Sequence, residues 1–178
     1  KGAVGVAGMA FMAPVLEARA QDAAAPPAEK KFIHRTLGKT GIKLPVVSMG
    51  ARRSAPEQIQ TALDAGIVHI DTANSYGRGR HEQAVGEAIK DRPRESVVIG
   101  TKVYMTMDQK TGLYPEDATA EPFVEKFNTS MERLGLDYVD ILYLHSCSTP
   151  AMVTYEPMMK AFTKVKEQGK ARFIGIST

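Results

Sequence analysis

The sequence predicts an α/β fold built from parallel βαβ units, on three observations. Five short apolar segments read as strands: Val46 to Gly50, Val68 to Ala73, Val97 to Val103, Tyr138 to Ser146 and Arg172 to Ser177. The stretches between them repeat apolar residues at helical spacing. Strands alternating with helices in this way pair in parallel, so all their C-terminal ends face one rim.

Residues 1–31 are read apart from that pattern. Gly2 to Leu16 is apolar and rich in glycine and alanine, and Ala18-Arg19-Ala20 follows it as an A-x-A cleavage pattern. The expectation is the end of an export signal of twin-arginine type, with its paired arginines upstream of residue 1. That places the mature protein in the periplasm, or in the cytoplasm if the signal is not used. A buried or interfacial helix is the alternative reading; the run is shorter than the roughly 20 residues of a membrane span. Gln21 to Lys31, with Ala23-Ala24-Ala25-Pro26-Pro27, reads as a linker.

Phe32 to Pro45 reads as a β-hairpin turning at Gly38-Lys39-Thr40-Gly41, with Ile33 and Leu37 on one side and Ile42 and Leu44 on the other. Gly38-Lys39-Thr40 imitates the end of a phosphate-binding loop. That motif needs a further glycine upstream, where Ile33 and His34 stand. The first helix is expected to open at Ser54, with Ser54 and Glu57 forming a capping box around Pro56. Core-facing stripes follow at Ile59, Ala62 and Leu63; at Val85, Ala88 and Ile89; at Phe123, Phe127, Met131 and Leu134; and at Tyr155, Met158, Met159, Phe162 and Val165. Met105 to Glu121 is polar, interrupted by Gly112 and Pro115, and reads either as a wall over the strand ends or as a disordered insertion.

Composition narrows the function. With 178 residues, 43% of them hydrophobic, the chain has enough apolar material for one core. Its net charge of +3 is spread over helices and turns rather than gathered in an aromatic-laced stripe, which argues against nucleic acid. A single cysteine, Cys147, excludes an internal disulfide and a multi-cysteine metal site, and no metal is expected.

Chemistry concentrates at the strand ends. His69-Ile70-Asp71-Thr72-Ala73-Asn74-Ser75-Tyr76-Gly77 brings a carboxylate and a phenol to one rim, the third strand delivers Lys102, and the fourth delivers His145. Reducing a carbonyl needs a hydride donor, a proton donor for the oxygen that becomes negative, and support for that oxygen. A phenol is a poor acid at neutral pH, and a neighbouring ammonium favours the phenolate it leaves behind. Asp71 can hold Lys102 charged, and His145 can donate a hydrogen bond to the oxygen.

From about Phe32 onwards the chain resembles the aldo-keto reductase family. The resemblance rests on RTLGKTGIKLPVVSMG, HIDTANSYG, EQAVGEAI, VIGTKV, SMERLGLDYVDILYLHS and KARFIGIST, in that order. It implies a (β/α)8 TIM barrel with a bottom-closing hairpin. A complete barrel takes roughly 250 residues, so residues 32–178 are expected to be its N-terminal portion, about five β/α units. The first and fifth strands would then be open edges, prone to association.

The resemblance also assigns roles. Asp71, Tyr76, Lys102 and His145 match the family's catalytic aspartate, tyrosine, lysine and histidine. Ser177 and Thr178 match the pair that hydrogen-bonds the nicotinamide carboxamide, with Thr178 where the family commonly has Asn. Gly50 lies where the backbone approaches the cofactor, beside Asp71. The implied cofactor is NADP(H), with NAD(H) as the alternative, and the partner is a small carbonyl compound. Arg52 and Arg53 make the loop after the first strand unusually basic, fit either for an anionic substrate or for solvent, and Arg78-Gly79-Arg80 widens the loop after Tyr76. Two other outcomes stay open: a non-catalytic barrel that senses nicotinamide or binds a partner, and an inactive truncated fragment.

Overall fold

A computed structural model describes residues 32–108 and 110–178. The expected export signal and linker lie outside the described residues. The five expected strands are present as β3 (Met49–Gly50), β4 (His69–Asp71), β5 (Val98–Val103), β6 (Val139–Leu144) and β7 (Ala171–Ile176), after a hairpin of β1 (His34–Thr36) and β2 (Lys43–Pro45). The sheet order is β3-β4-β5-β6-β7, every pair parallel. Strand order equal to chain order means that each crossover returns to the next position, which is how a (β/α)8 barrel winds. Here five strands are joined by four such crossovers.

Four helices cover one face: α1 (Pro56–Asp64), α2 (Arg80–Ile89), α3 (Glu121–Leu134) and, after the single turn α4 (Pro150–Val153), α5 (Glu156–Glu167). The expected stripes point inward, and Ile59, Val85, Phe123, Phe127, Met158 and Phe162 are fully or almost fully buried against Ile70, Ile99, Leu142 and Leu144. Each such side chain contributes on the order of 1.5–3 kcal/mol of burial. Phe123 and Phe162 add an edge-to-face pair with ring centres 5.2 Å apart. Gly86 lets α2 and α3 touch, since a Cβ there would stand 2.7 Å from the Arg133 carbonyl. Glu82, wholly buried on α2, accepts from Thr101 Oγ1 at 2.7 Å and from Arg133 at 3.3 Å, which satisfies a charge that would otherwise be costly there.

The strands' other face turns towards the barrel interior. A Cβ on Gly100 would meet the Tyr143 ring at 3.3 Å, Asp71 Oδ1 at 3.4 Å and His69 Nε2 at 3.5 Å, so these groups share that face. At the strand starts, the buried Asp140 carboxylate accepts from Arg94 at 2.8 Å, Arg172 at 2.7 Å and the Ile99 amide at 2.9 Å. Strands β5, β6 and β7 are thereby tied at the end remote from the chemistry.

Three local details differ from the sequence reading. Strand β3 keeps only two residues: Val46 and Val47 are exposed, and the Val46 amide donates to the Ile33 carbonyl of the hairpin at 2.9 Å instead of joining the parallel sheet. The cap of α1 is Ala55 rather than Ser54: Pro56 takes the first helical position, and the Gln58 side chain accepts from the Ala55 amide at 2.9 Å. The segment after β5 is packed rather than a loose insertion. Met105 and Tyr114 are buried, and Tyr155 Oη lies 3.0–3.3 Å from the carbonyls of Pro115, Glu116 and Ala118. No helix among the described residues is long and apolar enough to cross a membrane.

Candidate active site

Asp71 is the last residue of β4, Lys102 lies one residue before the end of β5, and His145 follows β6 directly. Tyr76 opens a short 3₁₀ turn, Tyr76–Gly79, which begins five residues beyond Asp71 and bends back through left-handed conformations at Gly77 (φ 58°) and Arg78 (φ 59°). The loop holding Tyr76 is fixed by Asn74, whose amide donates to the Lys102 carbonyl at 2.9 Å and whose Oδ1 accepts from the Tyr104 amide at 3.0 Å. Parallel pairing and this one loop therefore gather all four side chains at one rim.

Lys102 is nearly buried. Its Nζ donates to Asp71 Oδ2 and, at 2.8 Å, to the Thr72 carbonyl. The ammonium stands 5.2 Å from the centre of the Tyr76 ring. The His145 imidazole also approaches Tyr76 edge-on, with ring centres 5.7 Å apart. Ser75 Oγ reaches His145 Nδ1 at 3.4 Å. Burial holds His145 below its ordinary value, the Lys102 ammonium pushes the same way, and Asp71 opposes both. The imidazole is therefore neutral at pH 7 and has one N–H to donate.

Of the remaining expected positions, Gly50 stands beside the cluster, and Ser177 and Thr178 lie past the end of β7. Gly50 pairs in register with Asp71, and a Cβ there would meet nothing within 4 Å. Ser177, half-buried past β7, is held by its amide to the Leu144 carbonyl at 2.9 Å and by its carbonyl to the Cys147 amide at 2.8 Å. Thr178 beside it is exposed.

Several residues at the site were not singled out for it by the sequence reading. Tyr143 lies on the interior face beside Asp71 and Lys102, and burial raises its phenol, with Asp71 adding to the effect. Counting by two along β6 from His145 would have found it. His69, on the same face, is buried, bonds Ser48 Oγ at 2.8 Å and has no partner for Nε2; burial lowers its pKa, partly offset by Asp71 and Asp140. His81 takes the Arg53 amide on Nδ1 at 2.7 Å and lies edge-on to Tyr76. Its partners are 28 residues or more upstream, beyond any local pattern.

The comparisons bear on the family. The sequence model of the Aldo/keto reductase family matches residues 49–178, most of the chain and every residue of the cluster. The chain belongs to the aldo/keto reductase family. This aldo/keto reductase is 31% identical over 161 residues to the L-glyceraldehyde 3-phosphate reductase of Escherichia coli, covering 82% of this chain and 45% of that one. It is 33% identical over 164 residues to a putative voltage-gated potassium channel subunit beta of Schizosaccharomyces pombe, covering 83% and 46%. The structure of the thermostable aldo-keto reductase Tm1743 superposes with a TM-score of 0.67 at 30% identity, over 82% of this chain and 54% of that one. The chain thus spans about half the length of the curated relatives it matches.

Proposed function

We propose that this aldo/keto reductase reduces an aldehyde or ketone to an alcohol at the expense of NADPH, or of NADH, with Tyr76 as the proton donor. The observation that carries the reading is the proximity of the Tyr76 ring to both the Lys102 ammonium, 5.2 Å from its centre, and the His145 ring, with centres 5.7 Å apart. A phenol placed in this way can release its proton to a carbonyl oxygen while the ammonium stabilises the phenolate left behind. Asp71 and the Thr72 carbonyl accept from Lys102 and hold its ammonium beside the phenol ring. In the tautomer this mechanism uses, His145 Nδ1 accepts from Ser75 Oγ, 3.4 Å away, and the hydrogen on Nε2 orients the carbonyl.

A reduced nicotinamide, when bound, supplies the hydride. The residues present fit its ring end: Gly50 leaves a side-chain-sized opening beside Asp71, and Ser177 places a hydroxyl at the end of β7. Family membership supports a nicotinamide dinucleotide in general.

A second reading, a nicotinamide-sensing partner subunit, is favoured by the likeness to a putative potassium channel subunit beta. Both readings are tested by following NADPH oxidation with a panel of aldehydes, in the wild type and in Tyr76→Phe, alongside NADPH titration by tyrosine fluorescence. Reduction is expected in the wild type, with a drop of about 10²–10⁴-fold in the variant and cofactor binding retained. Equal turnover by both proteins removes Tyr76 as the acid. Tight NADPH binding without wild-type turnover selects the sensing reading.

A further inference from the structure

We infer that Arg52 is an anion seat beside Tyr76, so that the carbonyl substrate carries a phosphate or carboxylate group. This rests on the reductase reading and names its substrate class. The Arg52 guanidinium lies 5.6 Å from the centre of the Tyr76 ring, within reach of whatever the phenol protonates.

The backbone that carries Arg52 is held through its neighbours. The Ala51 amide donates to the Asp71 carbonyl at 2.8 Å, and the Arg53 amide donates to His81 Nδ1 at 2.7 Å. His81 Nδ1 also lies 3.1 Å from the Ala51 carbonyl. The same imidazole packs on Gly77, where a Cβ would stand 2.5 Å from its Cδ2. One ring thus joins the loop after β3 to the turn that carries Tyr76. Arg53 adopts φ 66°, a left-handed conformation that disfavours any side chain, and the tether to His81 sustains it.

The charge at this rim is also unbalanced. Arg92, Arg94, Arg133 and Arg172 are each paired with a carboxylate. Among the described residues no carboxylate pairs with Arg52 or Arg53 after β3, or with Arg78 or Arg80, which line a depression with Ser75 and Gly77 beside Tyr76. Four arginines on the two loops that meet at Tyr76 raise the local concentration of anions, and a guanidinium offers a planar fork that fits phosphate or carboxylate. Arg52 is the one whose guanidinium lies by the phenol ring; the other three widen the field.

The test compares matched carbonyls. Glyceraldehyde 3-phosphate is set against glyceraldehyde, and succinic semialdehyde against butanal, in the wild type, Arg52→Gln, Arg52→Lys and the hairpin control Arg35→Gln. In Arg52→Gln the ratio of kcat/KM for the charged member to that for the neutral member is expected to fall about ten- to hundredfold. Arg52→Lys should recover part of the ratio, and Arg35→Gln should keep it. The phosphate and carboxylate pairs show which anion is preferred.

An unchanged ratio overturns the inference. So does a rise in KM for NADPH with the ratio intact, which would assign the guanidinium to the cofactor's phosphates. If no carbonyl is reduced by any of these proteins, the reductase reading fails on its own account. Calorimetric titration with glycerol 3-phosphate then decides the seat: binding lost in Arg52→Gln supports it, and equal binding overturns it.

Discussion

Lys102 donates to Asp71 across the β4–β5 pair, from a position almost closed to solvent, and its ammonium faces the Tyr76 ring. The pair is a structural clamp as well as a source of charge at the phenol. Removing one partner of a buried pair leaves the other charge uncompensated, at a cost of roughly 3–5 kcal/mol where both are fully buried.

Asp71 keeps 30% of its side chain exposed, so solvent softens that cost. Asp71→Asn is expected to lower stability by about 1–3 kcal/mol in urea unfolding. Adding Lys102→Met to Asp71→Asn should cost less than the sum of the two single changes, because the stranded ammonium is gone. Strict additivity would show that the two side chains do not work as a unit.

The two interior-rim histidines set a pH dependence. Burial holds both His69 and His145 below the ordinary imidazole value, so the unfolded chain binds protons more readily than the folded one as pH falls through about 6.5. Stability from these groups is present above that pH and is lost towards the lower folded-state values. The urea midpoint should therefore fall between pH 7.5 and pH 5.5, and His69→Gln should flatten the slope. A midpoint that rises on acidification would contradict the burial of these rings as charge-excluding.

Gly50 supplies a prediction that separates folding from binding. Its missing Cβ faces open space, so Gly50→Leu should leave the unfolding midpoint close to that of the wild type. If the nicotinamide approaches the backbone there, the added side chain overfills the contact by about 1–3 kcal/mol, some ten- to hundredfold weaker NADPH binding by fluorescence titration. Unaltered NADPH affinity would move the cofactor away from β3.

Much of the fold was legible because its signals are local. Alternation and helical spacing are properties of a dozen neighbouring residues, and they located β4 to β7 and the buried stripes of α1, α2, α3 and α5 to within a residue or two. Val46 and Val47 show the limit. They have strand propensity, but a strand is completed by a neighbour's backbone: the Val46 amide goes to the Ile33 carbonyl of the hairpin at 2.9 Å, and neither valine joins the five-stranded sheet. The Met105 to Glu121 segment shows the converse. It looks irregular in sequence and is ordered by contacts from Tyr155, the residue that precedes α5.

The candidate site divides along the same line. Residue type and order, by themselves, determined that an aspartate, a tyrosine, a lysine and a histidine stand at or just beyond the ends of successive strands. They also determined that those strands run parallel, since helical spacers of this length return the chain in the same direction. Only the tertiary structure decided that Lys102 pairs with Asp71 rather than with solvent, that Ser75 faces His145, and that His81 ties Arg52's loop to the turn of Tyr76. Each of these contacts joins groups about 30 or 70 residues apart in the chain. Their geometry is set by strand register, loop conformation and the bare Cα of Gly77, none of which a local pattern encodes.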